Sequence, residues 1–514
     1  MKRYLTALGA FIFVTQISFA QSPEILKIRK FREQNEHPII NEFVSFLSIP
    51  NIADDSVNIQ KNAAFIMSMM NKRGIQNIQL LSPITPSKPP VVYGEANVPG
   101  ATHTIIFYAH YDGQPVNPLQ WAKPLEPFKP QLLNGSLERN ASIISFPDDN
   151  TSFNPEWRIY ARGGSDDKGG VAAILNAYNA IIKSGLKLHY NIKFFFEGEE
   201  EAGSTHLSEV LEKYKSLLQS DVWIICDGPV HQSGKKQIVF GVRGDCHIDL
   251  TVYASKRPLH SGHYGNWAPN PALMLAKLLA SMKDDEGKVT VKYFYADVIP
   301  FTDAEKKAIA EIPSVDEQMK KELGISANEM PDKTLAESIN LPSLNINGMA
   351  SGNVGKQASN VIPTTASAVL DLRLVLGNDW KKQQQKVIEH IRQQGYYLID
   401  HEPSDEERSA HAKIIKAIAP NDGYNAQRTS MNLPIAKNII AAVQKTTDDK
   451  IVLFPSLGGS LPLFLFEKYL NAKTIIVPIE NHDNNQHAEN ENLRLQNFWN
   501  GIETLSSIML MQPE

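Results

Sequence analysis

Short apolar runs rich in Ile, Val and Phe recur at Thr104–Tyr108, Ile192–Phe196, Val222–Cys226 and Thr474–Val477. Continuous rather than alternating hydrophobicity of this length fits strands buried on both faces, as in parallel sheets. Between them the apolar positions change period. Val171, Ile174, Leu175, Tyr178, Ile181 and Ile182 fall at the i, i+3, i+4, i+7 spacing of a helix, and Ser184-Gly185 supplies its stop. Strand and helix in alternation predict an α/β unit whose mixed sheet is covered by helices. After Arg243 the period becomes two: Cys246, Ile248, Leu250 and Val252 alternate with His247, Asp249 and Thr251, and Ala366–Leu376 behaves likewise. With helical patterns over 271–282 and 380–394, this middle stretch predicts a separate α+β unit inserted into the first. The expected order is therefore a first part at 21–242, the insertion at 243–405, and a second part of the first unit at 406–514, with the polar stretch His401–Arg408 as the return linker. The charged stretch 284–345 has no clear place in this scheme.

Composition narrows the function classes. The chain has 514 residues, 42% hydrophobic and 21% charged, which is ordinary globular usage. Lys and Arg number 51 against 56 Asp and Glu, without a basic run, so no nucleic-acid partner is expected. Cys226 and Cys246 are too few for a disulfide framework, and whether they pair is open at this level. The start Met1-Lys2-Arg3, the apolar run to Ile17 and the ending Ser18-Phe19-Ala20 form a secretory signal-peptide pattern over 1–20. The run is short for a membrane span. The expectation is an exported protein, periplasmic or secreted, with no membrane attachment after cleavage.

The segments just beyond the apolar runs carry the chemistry. Thr104–Tyr108 leads to Ala109-His110-Tyr111-Asp112; Ile192–Phe196 leads to Glu197-Gly198-Glu199-Glu200-Glu201; Val222–Cys226 leads to Asp227; Thr474–Val477 leads to His482 and His487. Sites in open α/β sheets lie beyond the carboxyl ends of the strands, so four segments deliver metal-ligand residue types to one edge. A fifth element, Gly163-Gly164-Ser165-Asp166-Asp167-Lys168-Gly169-Gly170, precedes the helix near Val171. Its paired aspartates would repel a phosphate and favour a cation. Imidazoles and carboxylates without thiolates suit zinc, cobalt or manganese, and they are too many for one tetrahedral ion. Two divalent ions sharing a carboxylate, with a further carboxylate as general base, form machinery for amide hydrolysis.

From His110 to His487 these five ordered motifs resemble the M20 metallopeptidases, of the carnosinase-like and bacterial dipeptidase kind. The resemblance implies that His110, Asp166, Glu201, Asp227 and His487 are metal ligands, with Asp166 bridging two ions, most often zinc. It implies that Asp112 orients His110, that Glu200 is the base, and that the Asp166–Asp167 bond is often cis. It gives His487 the closing ligand position over its neighbour His482. The insertion then resembles a lid, ferredoxin-like, with a four-stranded sheet and two helices, that also makes a homodimer. His260, in Leu259-His260-Ser261-Gly262, is similar to a histidine that reaches the partner's site, where it stabilises the oxyanion. Asn360, Arg373, Gly459 and Ser460 resemble substrate-binding residues. The implied function is hydrolysis of dipeptides or short peptides with a free carboxyl end. An aminoacylase or carboxypeptidase of the same family is the alternative, and a non-catalytic peptide-binding protein the remote one.

Overall fold

A computed structural model describes residues 22–459 and 461–513. The signal-peptide pattern at 1–20 and Ser460 therefore lie outside the described residues. In chain order the strands used below are β1 (Gln76–Leu81), β2 (Val91–Ala96), β3 (Thr104–His110), β4 (Asn191–Glu197), β5 (Val222–Ile225) and β6 (Gln237–Val239) of one sheet. The chain then crosses through β7 (Gly241–Val242) to a second sheet of β8 (Gly244–Tyr253), β9 (Ser343–Ala350), β10 (Thr365–Leu374), β11 (Tyr397–Ile399) and β12 (Ile414–Ile418). It returns through β13 (Gln427–Arg428) and completes the first sheet with β14 (Val452–Phe454) and β15 (Thr474–Ile476). The helices named are α1 (Glu36–Leu47), α2 (Lys168–Lys183), α3 (Pro271–Ala280), α4 (Asp303–Ala310), α5 (Trp380–Gln393) and α6 (Leu495–Met509).

The first sheet runs β1-β2-β4-β3-β5-β15-β6-β14 and is mixed. Its centre, β4-β3-β5-β15, is parallel throughout, with His110 paired to Glu197 at the last register position of β3 and β4. The four apolar runs are these four strands, and their interior residues are buried. One face is covered by a core that includes α1, α2 and α6, the other by the segments around Leu207–Lys213 and Leu463–Leu470. Helix α2 starts where the glycine-rich turn ends, because the Asp167 carboxylate accepts from the Gly170 N–H at 3.0 Å. A side chain at Gly170 would have its Cβ 2.1 Å from Asp167 Oδ1 and 2.5 Å from the Cys226 carbonyl. Only glycine allows the turn to press this closely on the strand beside it.

The second sheet, β9-β10-β8-β12-β11, has five strands rather than the expected four. Four of them with α3 and α5 follow the order β8-α3-β9-β10-α5-β12. The fifth, β11, adds in parallel beside β12. It is only three residues long, too short to show a period. Strand β12 also moves the boundary: it pairs with β8 beyond residue 405, so the return to the first unit comes near β13. The polar stretch His401–Arg408 lies inside the inserted unit and carries the first residues of the helix Asp405–Ala410. Residues 246, 248, 250 and 252 are buried as their alternation requires, against the α3 and α5 side. Cys226 and Cys246 are both buried and free, so no disulfide joins them.

The unplaced stretch 284–345 ties the two units together. The crossing strands β7 and β13 pair antiparallel, and Gly241 makes room: a Cβ there would lie 2.3 Å from the Gln427 carbonyl. Glu305 on α4 is buried, caps its own helix through Thr302, and pairs with Arg428 of β13 at 2.9 Å, while that guanidinium lies 4.7 Å from the Phe301 ring. Between the crossing strands and β8, Arg243 Nη2 donates to the Leu341 carbonyl and to Ser343 Oγ, both at 2.8 Å. Ile339 from the same stretch lies against Gly458, in the turn after β14.

Candidate metal centre

The strand ends converge as the parallel centre of the sheet requires. His110 closes β3, Glu200 and Glu201 follow β4, Asp227 follows β5, and His487 lies on the segment after β15. Two groups of potential ligand atoms result, His110 with Asp166 and Asp227, and Asp166 with Glu201 and His487; within each group the atoms lie within 4.8 Å of one another. Asp166 is common to both. Its Oδ1 is 2.8 Å from His110 Nε2 and its Oδ2 is 3.1 Å from His487 Nε2. His487 Nε2 is 3.3 Å from Glu201 Oε2, and His110 Nε2 is 3.8 Å from Asp227 Oδ2. The Asp166–Asp167 peptide bond is cis. His482 belongs to neither group.

The buried carboxylates fit a cation on electrostatic grounds. Burial pushes Glu200 well above the usual carboxylate range, Glu201 up to about 8 and Asp227 up to about 6. At Asp166 burial is outweighed by the two imidazoles, which hold the carboxyl far below its ordinary value. At His110 burial opposes the charged ring, but Asp112 and Asp166 prevail and raise it well above the usual range. Protons thus neutralise a cluster that divalent cations would neutralise in their place.

Asp112 does more than support the imidazole. Its Oδ1 lies 3.4 Å from His110 Nδ1, and its two carboxylate oxygens accept from the N–H groups of Glu200 and Glu201 at 3.0 Å each. One residue therefore fixes both the ring and the glutamate pair. Glu200 Oε2 stands 3.9 Å from His110 Nε2. Glu199 is turned elsewhere and pairs with His206 at 2.9 Å.

Several residues that position the centre were not visible in the sequence. Glu491 is fully buried and accepts five hydrogen bonds, from Arg162 Nη1, the N–H groups of Gly163, Ser165 and Asp166, and Ser165 Oγ. It clamps the glycine-rich turn that carries Asp166. Gln486 Nε2 donates to Asp166 Oδ2 at 2.8 Å, and Gln114 Nε2 to Glu201 Oε2 at 2.7 Å. Lys168 is buried and donates to the carbonyls of Phe46 and Ile49, at the end of α1 and just beyond it. Its amino group locks the turn to the fold. The nearest sequence signal was Glu491's place in the run His487-Ala488-Glu489-Asn490-Glu491, which says nothing of where the carboxylate folds back.

The remaining expected residues lie apart. His260 is exposed on a two-residue ribbon with Val361–Ile362, its Nδ1 accepting from the Gly262 N–H and its ring 4.7 Å from that of His263. Asn360 is exposed beside it, its carbonyl accepting from Ser261. Among the described residues, neither pairs with a side chain of the two ligand groups. Arg373 stands near the end of β10 and pairs with Asp371. Gly459 follows Gly458 in the turn after β14.

Residues 106–511 match the family described as Peptidase family M20/M25/M40. The Cys-Gly metallodipeptidase DUG1 of Candida albicans is 26% identical over 496 residues, 93% of this chain and 95% of that protein. The human Beta-Ala-His dipeptidase is 25% identical, over 82% of this chain and 77% of its own. Among solved structures, the M20 family metallo-carboxypeptidase Sso-CP2 of Sulfolobus solfataricus superimposes with a TM-score of 0.72 at 28% identity, covering 92% of this chain and 98% of that one. Human carnosine dipeptidase 1 shares the fold, with a TM-score of 0.71 at 20% identity over 95% and 99%. A match that spans both ligand groups and most of the two sheets makes this chain a metallopeptidase of family M20/M25/M40.

Proposed function

We propose that the chain is an exported di-zinc dipeptidase that cleaves the amide bond of dipeptides or similar short peptides with a free carboxyl end. The observation that carries this reading is the pair of ligand groups sharing Asp166 beside an unshared glutamate, Glu200. His110, Asp227 and Asp166 would hold one ion, and Asp166, Glu201 and His487 the other. When bound, two such ions would lower the pKa of a water and polarise the scissile carbonyl. Glu200 takes the proton of the attacking water and returns it to the departing amine, a task open to a carboxylate that stands beside His110 without belonging to either ligand group. Asp112 and Glu491 keep ring, base and bridging carboxylate in place.

In this reading the inserted unit is a lid and also the contact of a homodimer. His260 is supplied to the neighbouring subunit, where it donates to the developing oxyanion, consistent with its exposure and its separation from the ligand groups of its own chain. Arg373, Asn360, Gly459 and Ser460 receive the substrate's carboxyl end and adjoining carbonyl. The likeness to Sso-CP2 supports a second reading, a carboxypeptidase that accepts longer peptides.

The test is a screen of dipeptides, longer peptides and N-acyl amino acids on zinc-reconstituted protein, with Glu200→Gln as control. Dipeptide cleavage, lost by ~10²–10⁴-fold in the variant at unchanged zinc content, is expected. Cleavage of longer peptides alone would favour the second reading, and cleavage of N-acyl amino acids alone would overturn both.

A further inference from the structure

The face of the second sheet opposite α3 and α5 holds another cluster: Asp245 and His247 on β8, and Asp371 and Arg373 on β10. Asp245 lies directly across the ladder from Arg373, and His247 across from Asp371. In a strand every second residue shares a face, so all four side chains meet on one side. Asp371 is 5% exposed. Arg373 Nε lies 3.2 Å from Asp371 Oδ1, 3.3 Å from its Oδ2 and 3.7 Å from Asp245 Oδ1. His247 Nε2 stands 3.5 Å from Asp371 and 3.9 Å from Asp245.

Asp245, His247 and Asp371 have the residue types and spacing of a cation site. The cation they hold is already present. A divalent ion bonded at ~2 Å to these atoms would lie against the guanidinium, which faces the same two carboxylates. Arg243 adds a second positive charge on this side through its neighbourhood to Arg373, whose carbonyl is 3.5 Å from Arg243 Nη2. One buried and one half-buried carboxylate directed at one Nε fix the plane of a side chain that otherwise has many rotamers. A guanidinium gripped at Nε presents its paired Nη groups on the opposite edge, the fork that binds a carboxylate bidentately.

We propose that Asp371 and Asp245 are positioning residues that hold Arg373 by its Nε for capture of the substrate's terminal carboxylate. The proposal rests on the reading of Arg373 as that receptor. Asp371 supplies the grip from the same strand and Asp245 from the strand opposite, so selectivity for a free carboxyl end depends on a pair that never touches substrate.

The experiment compares the holoenzyme with Asp371→Asn, Arg373→Lys and the double variant. It reads KM and kcat for a cleaved dipeptide, the inhibition constant of the matching dipeptide amide, and metal per chain. Asp371→Asn is expected to raise KM about tenfold, with kcat changed less than about threefold and amide inhibition unchanged. Because lysine lacks Nε, Asp371→Asn should add little on the Arg373→Lys background. An unchanged KM, an equal loss for acid and amide, or full additivity in the double variant would overturn the proposal. So would a third bound metal that disappears in Asp371→Asn. If Arg373→Lys itself weakens acid and amide alike, it is the receptor reading that fails.

Discussion

Replacing Glu491 by glutamine tests whether a residue that cannot reach an ion nevertheless decides whether the centre exists. Oε1 accepts from Ser165 N, Ser165 Oγ and Asp166 N, and Oε2 from Arg162 Nη1 and Gly163 N. Glutamine keeps one oxygen and replaces the other by an NH2 group that can only donate. If the oxygen serves the first set, Arg162 and Gly163 face a donor with their own donors, and the buried guanidinium loses its counter-charge. Hydrogen bonds to a charged group contribute about 1.5–3 kcal/mol each, and breaking one side of a buried ion pair costs about 3–5 kcal/mol. Since the two figures describe overlapping losses, about 3–5 kcal/mol is expected. Urea unfolding of metal-free wild type and Glu491→Gln, extrapolated to water, reads the stability directly. Zinc content after dialysis reads the consequence for Asp166, which should fall below two ions per chain. A loss under about 1 kcal/mol with both ions retained would refute the clamp.

The same geometry sets other outcomes. Zinc binding to the metal-free protein should release protons at pH 7, because Glu201 titrates near 8 and His110 is held charged; affinity should still be rising as pH passes through about 8. Calorimetry in buffers of different ionisation enthalpy counts those protons, and a count of zero at pH 7 would contradict the assignment. Asp483, where Arg158 and Asn481 outweigh burial, is lowered to about 2. A depressed carboxyl stabilises the fold above its unfolded value near 4 and loses that contribution as pH falls toward 2, so Asp483→Asn should flatten the acid limb of a stability profile between those values. Gly170→Ala should yield little folded protein or a markedly lower melting temperature, given its contacts at 2.1 and 2.5 Å; an unchanged melting temperature would mean the turn can yield.

The centre was legible because parallel strands announce themselves as unbroken apolar runs and place the residues at their carboxyl ends along one edge. His110, Glu201 and Asp227 thus stood within a few residues of a strong signal, whereas Asp166 was marked by its glycine-rich turn and His487 lies ten residues beyond Val477. Glu491 had no such neighbour: its function comes from a return across the fold to a turn more than 320 residues earlier. The partnership of Asp371 with Arg373 was likewise hidden, since alternation shows which residues share a face but not which charges meet there. In the inserted unit the alternation along β8 does match burial, residues 246, 248, 250 and 252 facing the covered side. Its end was misplaced because β11 and β12 are three and five residues long and come after polar stretches that resemble a linker. The stretch 284–345 escaped because its helices are short and its key contact, Glu305 with Arg428, pairs two residues that each look solvent-directed in sequence.

Strand β15 enters the sheet between β5 and β6, which were laid down some 240 residues earlier. Until it does, the edge has His110, Asp166 and Asp227 but no His487, and Glu491 has not reached the turn. A ribosome delivers residues in order, at about 5–20 per second, and the last elements of this fold are made when nearly everything else is already out. The second ligand group therefore cannot be completed on a truncated or nascent chain. Topology alone delays hydrolytic competence until β15 and the segment to Glu491 have been made.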